Sequence, residues 1–226
     1  MTDTSRRSPL PLWRLISPML PVGAYAYSQG LEYAVDAGWI TDEVSAALWI
    51  TGVLEHNLAS LDVPVLARFY AAWQSDDQVA LLYWSRFLQA SREAQELVQE
   101  DRHLGQALAR VLHELGESRA EPWRDTSIAS FTAMFALAAV QWEIPLADAA
   151  RGYLWAWSEN QVTAAMKLVP LGQSAGQRLL SEVMPAIETA ADRGVSFDDH
   201  EIGAVAPGLG IASASHETQY SRLFRS

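Results

Sequence analysis

Gly172-Gln173-Ser174-Ala175-Gly176 reproduces the G-x-S-x-G spacing in which serine hydrolases present their nucleophile. Asp198 and His200 follow it in the Ser, Asp, His order of such enzymes. That chemistry needs a strained strand-to-helix turn, which lifts the hydroxyl above a sheet. Here a helical pattern precedes the motif, and no apolar–polar alternation marks a strand upstream. The context therefore favours a glycine-punctuated junction between two helices, with a hydrolase built on Ser174 as the alternative.

The other candidates for catalysis are thinner. Glu100 and His103 make one Glu-x-x-His step, the unit of di-iron bundles, but those sites need a second step and two further carboxylates. None of the other four histidines follows a Glu by three residues, so a surface ion pair is the expected role. His216-Glu217 opens like H-E-x-x-H, yet Tyr220 stands where the second zinc ligand belongs. No Gly-x-x-x-x-Gly-Lys phosphate loop occurs. The chain reads as a protein that is not an enzyme, with no metal ligand set of its own.

Two polar groupings remain. Tyr25, Tyr27, Ser28 and Glu32 follow a Pro-Val-Gly turn and crowd hydrogen-bonding groups at a helix start. Asn160, Gln161 and Lys167 interrupt an otherwise apolar helical pattern, where amides and a cation are costly unless paired. They mark an interface, an internal polar path, or simply an exposed helix edge.

The elements that must position these groups are helical. Ala and Leu, 35 and 27 of the 226 residues, far outnumber the 23 Val plus Ile, and they are the stronger helix formers. A short turn at 12–16 stops at Pro18 and Pro21, and a helix at 31–37 closes on Gly38. Thr41-Asp42 caps a helix whose stripe is Ala47, Ile50, Leu54, Leu58 and Leu61; Asp62 and Pro64 restart the chain into another. Asp76-Asp77 caps the next, and Leu97, Leu104, Leu108, Val111 and Leu115 mark a fifth long run. After a polar linker at 116–125, Ile128, Phe131, Phe135, Ala138 and Trp142 form one stripe. Pro145 opens the most apolar helix, and a last one covers 173–192. The expectation is an all-α, single-domain bundle of about eight to ten helices: a flexible amino terminus at 1–9, a helical domain at 10–194 and a flexible carboxyl-terminal tail at 195–226, rich in Gly, Ala, Ser and Pro.

Composition excludes several classes. A net charge of −11 with no basic run argues against nucleic acid and anionic membranes. Without cysteine there are no disulfides, thiolate metal sites or Cys nucleophiles. Pro9, Pro11, Arg14 and Pro18 interrupt the apolar stretch after Arg6-Arg7, so no continuous signal core exists. The longest apolar segment, 126–142, falls short of the ~20 residues a span needs. A cytoplasmic protein is expected.

Several separate motifs then resemble one family. Leu20-Pro21-Val22-Gly23 with Tyr27-Ser28-Gln29-Gly30-Leu31-Glu32, Leu66-Ala67-Arg68 after Asp62-Val63-Pro64, and Lys167-Leu168-Val169-Pro170-Leu171-Gly172-Gln173 are similar to the UreF family of urease accessory proteins. So is the run from Ile211 through His216-Glu217-Thr218-Gln219-Tyr220-Ser221-Arg222-Leu223-Phe224. The resemblance implies an all-helical homodimer that works with the accessory protein UreD/UreH, the GTPase UreG and urease apoprotein, nickel being handled by the complex. By the same resemblance Tyr27, Ser28, Tyr220, Arg222, Leu223 and Phe224 face partners, and Glu32, Asp62 and Lys167 gate the GTPase step or line an ion path. On that reading the last three contribute little to folding. A helical adaptor unrelated to urease is the remaining alternative.

Overall fold

The computed structural model describes residues 8–226, and the expectation for the amino terminus falls mostly outside them. Among these residues ten α-helices run in order: α1 Leu10–Leu15, α2 Leu31–Asp36, α3 Glu43–Val53, α4 Val63–Ser75, α5 Gln78–Ala90, α6 Gln95–Glu114, α7 Phe131–Gln141, α8 Leu146–Leu168, α9 Gln173–Val195 and α10 Pro207–His216. No strand occurs among the described residues.

Local chemistry sets most boundaries. The Asp42 carboxylate accepts the Ser45 amide at 2.8 Å while the Ser45 hydroxyl faces the Asp42 amide, a capping box at the start of α3. Asp77 accepts the Val79 and Ala80 amides and starts α5. Gly38 and Gly116 take positive φ where α2 and α6 end. Helix α7 is apolar on every side, which places it at the centre, packed by α1, α4, α6 and α8. Helices α8 and α9, the two longest, pack against each other, and α8 also meets α7.

Close approach has visible requirements. A Cβ on Gly105 of α6 would lie 2.5 Å from the Ser130 carbonyl carbon and 2.8 Å from the Phe131 nitrogen. Both are backbone atoms and cannot rotate away. Gly105→Ala is expected to cost about 1–3 kcal/mol by forcing α6 from α7. Chemical denaturation checks it; an unchanged midpoint would show that the two helices separate freely.

Three expectations are corrected. The chain does not restart at Asp62 and Pro64: α3 passes through a π-helical stretch, Leu54–Asp62, directly into α4. The polar linker holds a 3₁₀ turn, Ser118–Trp123, which buries Ala120 and Trp123. The segment expected as a flexible tail carries α10 and packs on the body. Its stabilising contacts are long-range, so local periodicity could not reveal them.

Candidate functional site

The Gly23 to Gly30 loop and α2 form a cradle. Gly23 and Gly30 both take positive φ, at 84° and 74°, so the backbone turns twice around a short 3₁₀ turn, Ala24–Ala26. Gly30 has a second requirement, since a Cβ there would sit 2.9 Å from the Ser213 nitrogen and hydroxyl. Only glycine lets α10 approach this closely.

The cradle grips the end of the chain by its backbone. The Glu32 carboxylate accepts the Leu223 amide at 2.6 Å and the Phe224 amide at 2.8 Å. The Arg225 amide bonds the Ala26 carbonyl at 2.8 Å, and the Ser28 amide and hydroxyl both donate to the Ser226 carbonyl oxygen, at 2.8 and 2.6 Å. Phe224 is buried under Lys167, whose ammonium lies 5.4 Å from the ring centroid.

His216 is the hub beneath. It is fully buried, with Nδ1 2.6 Å from Glu96 and Nε2 3.2 Å from Glu32. A ring with hydrogen on both nitrogens donates to both carboxylates, whereas a neutral ring donates to one. Arg222 pairs with the other oxygen of Glu96, and Glu217 accepts the Glu96 amide.

Behind the cradle lies a cavity of about 90 Å³ with mostly apolar walls and a polar side formed by Gln29, Asp62, Arg92, Glu100, Asp101 and Asn160. By the rule that one water needs roughly 10–15 Å³, it has room for several. Arg92 holds both oxygens of Asp62, at 2.6 and 3.1 Å, and the Tyr153 hydroxyl donates to Asp62 at 3.3 Å. Burial opposes the charge on Arg92, but Asp62 and Asp101 outweigh it and raise the guanidinium pKa above its ordinary value. Asn160 donates to the Tyr27 carbonyl, and Gln161 is buried beside it with neither side-chain amide atom bonded within the protein.

Glu100 accepts from Gln29 at 2.8 Å and from the Ser226 hydroxyl at 2.6 Å. Burial pushes its carboxyl up to about 7 from an ordinary 4.5, against the pull of those hydrogen bonds. The folded state therefore binds this proton more readily than the unfolded chain. The stabilisation is present in acid and is lost as pH rises from about 4.5 through 7. Glu100→Gln keeps the shape without the titration. Its stability relative to the parent should improve by roughly 3 kcal/mol between about pH 4 and pH 8, at ~1.4 kcal/mol per pKa unit. Urea unfolding at both pH values checks this, and a constant difference would contradict it.

The sequence expectations fare unevenly against this geometry. Glu100 and His103 are not a surface ion pair: Glu100 is buried, and His103 meets the Tyr27 hydroxyl at 3.3 Å. Tyr27, Ser28 and Phe224, expected to face partners, are buried by the chain's own contacts. Tyr220, Arg222 and Leu223 do face outward. Glu32 and Lys167 converge on Phe224, while Asp62 lies in the separate cavity cluster. Of the three, Lys167 is exposed, whereas Glu32 and Asp62 are buried and hydrogen-bonded. His216, Glu96 and Arg92 were missed. Ser174 is exposed in the first turn of α9 and follows helix α8, so the strand that a hydrolase elbow requires is not there. Gly176 instead makes room for Met166, whose sulfur would lie 2.3 Å from a Cβ.

Among the described residues no group of three or more His, Asp or Glu side chains is placed to hold a metal ion, and no helix is long and apolar enough to cross a membrane. Fold and site thus define a helical protein whose polar chemistry holds its own carboxyl-terminal segment. The sequence profile of the UreF family matches residues 40–184. The chain is 58% identical over 215 residues to the urease accessory protein UreF of Alkalilimnicola ehrlichii, covering 95% of this chain and 94% of that one. It is 46% identical over 215 residues to that of Chromohalobacter salexigens, covering 95% and 93%, and 47% identical over 217 residues to UreF 2 of Brucella anthropi, covering 96% of each. The chain belongs to the UreF family of urease accessory proteins, and its function lies in urease maturation.

Proposed function

We propose that this chain is the scaffold subunit of a cytoplasmic nickel-insertion complex, acting as a homodimer with a UreD/UreH accessory protein, the GTPase UreG and urease apoprotein. Nickel is the cargo of that complex. The observation that most supports the reading is the two-sided carboxyl-terminal segment. Its backbone is fixed inward by Glu32 and Ser28, while Tyr220 is fully exposed and Leu223 is 66% exposed. Large apolar side chains held outward on a fixed backbone cost less ordering entropy when a partner binds. In this account Tyr220, Leu223 and Arg222 contact the accessory partner. Lys167 acts at the edge of the same face, toward the GTPase step, and Glu32 supports the face from below. Asp62 acts inside, on the polar side of the cavity, which supplies the ion path.

Tyr220→Ser combined with Leu223→Asp tests this. Both side chains are exposed, so melting should stay unchanged while co-purification with UreD/UreH is lost. Normal co-purification of the double variant would refute the assignment of this face.

A further inference from the structure

Between α6 and the carboxyl-terminal segment runs an open groove of about 510 Å³, walled by Tyr27, Gln99, His103, Leu223, Phe224 and Arg225. His103 and Arg225 are exposed in it. Burial, and then the charges of Arg102 and Arg225, hold the His103 ring below its ordinary pKa of 6.5, so both guanidinium groups act on one spot. Lys167 adds a third positive charge, 5.4 Å from the Phe224 ring centroid. Glu96 and Arg222 also line the groove, but they pair with each other, and the second oxygen of Glu96 meets His216.

The chain has 27 acidic side chains, yet among the described residues no ion pair involves Arg102, Lys167 or Arg225. Grouped like charges repel, so the fold itself gains nothing from leaving them unpaired. Their positions are fixed. Arg102 and His103 stand within α6, and the backbone around Arg225 is pinned by Glu32, Ala26 and Ser28. Binding there costs little backbone ordering.

A groove of this size, with Leu223 exposed among the cations, suits a length of chain better than a single small ion. A net charge of −11 repels a long polyanion such as nucleic acid. A short acidic segment feels chiefly the cations within about 8 Å, the Debye length in physiological salt. Guanidinium forks also match the planar carboxylate. We propose that the groove docks an acidic segment of a partner protein, with Arg102 and Arg225 taking its carboxylates, His103 hydrogen-bonding between them and Leu223 covering an apolar side chain. The groove borders the face formed by Tyr220 and Leu223 but rests on different charges, so either assignment can fail alone.

NMR titration of the labelled full chain with two capped peptides of equal length tests the proposal. One peptide is rich in Asp and Glu around a Phe, and the other has Asn and Gln in their place. Expected are shifts of the His103 ring and of the Arg102 and Arg225 Nε–H signals with the acidic peptide only. Its binding should weaken as added salt shortens the Debye length from about 10 to about 3 Å. Arg102→Gln combined with Arg225→Gln should weaken it roughly two- to thirtyfold, the worth of two exposed ion pairs, with urea unfolding unchanged. Arg86→Gln combined with Arg193→Gln removes the same charge from exposed sites on α5 and α9 and should leave binding within about twofold. No shift with the acidic peptide, equal binding of the neutral one, or equal loss in the two double variants would overturn the proposal. So would sodium phosphate moving the same signals as far at equal ionic strength, which marks a simple anion site. Shifts that grow with protein concentration alone would assign the groove to a second copy of this chain and overturn it too.

Discussion

Asp62→Ala is expected to destabilise the fold by about 3–5 kcal/mol, because it leaves the buried Arg92 guanidinium without its carboxylate. Asp62 is 1% exposed and the Arg92 side chain 12%, so only water in the small cavity beside them can take over part of the lost contacts. For a chain of this size each kcal/mol lowers the melting temperature by roughly 2–4 °C, giving a drop of roughly 6–20 °C. Most of the loss comes from the charge left behind and little from the pair's own strength. Asp62→Leu combined with Arg92→Met, which removes both charges, should therefore recover most of it. Thermal unfolding of the single and double variants checks the pair. A double variant as unstable as the sum of its singles would show that the cluster stabilises through packing alone.

Glu32→Ala is expected to release the carboxyl-terminal segment while the helical body stays folded. One carboxylate there serves two backbone amides and the His216 ring. Its removal strips the segment of charge-assisted hydrogen bonds worth about 1.5–3 kcal/mol each. Exchange of the Leu223 and Phe224 amides should rise at least roughly a hundredfold, corresponding to about 3 kcal/mol. Trypsin should then cut after Arg222 and Arg225. Glu32→Gln retains an acceptor and should fall between. Protection of residues 223–226 equal to the parent's in Glu32→Ala would mean that Ser28, Glu100 and Phe224 suffice to hold the segment.

Helix order, caps and breaks were legible because they are written locally, in Asp42, Asp77, Gly38 and the stripes of α4 to α9. The site was legible only in part. Glu32 and its cradle stood out as a density of polar groups, but their target lies 191 and 192 residues away at Leu223 and Phe224, beyond any local pattern. Signals for the missed residues did exist. Glu100 falls on the buried Leu97, Leu104, Leu108 stripe of α6, and His216 follows Leu209, Ala212 and Ser213 at helical spacing in α10. A polar residue on an apolar stripe is a buried group with a partner to find. The spacing of Glu100 and His103 suggested a pair, yet Glu100 is buried against Gln29 and Ser226 while His103 is exposed and meets Tyr27. The π register of Leu54–Asp62 was hidden because a helix read with a period of 3.6 has no place for an extra residue per turn.

The most direct test of this chain's place in urease maturation is urease activity after reconstitution from apoprotein, UreD/UreH and UreG with GTP and limiting nickel, with and without this chain. The account predicts background activity in its absence and full activity when it is restored. It also predicts background activity with the folded Tyr220→Ser, Leu223→Asp variant. Full activation without the chain at the same nickel concentration would contradict it.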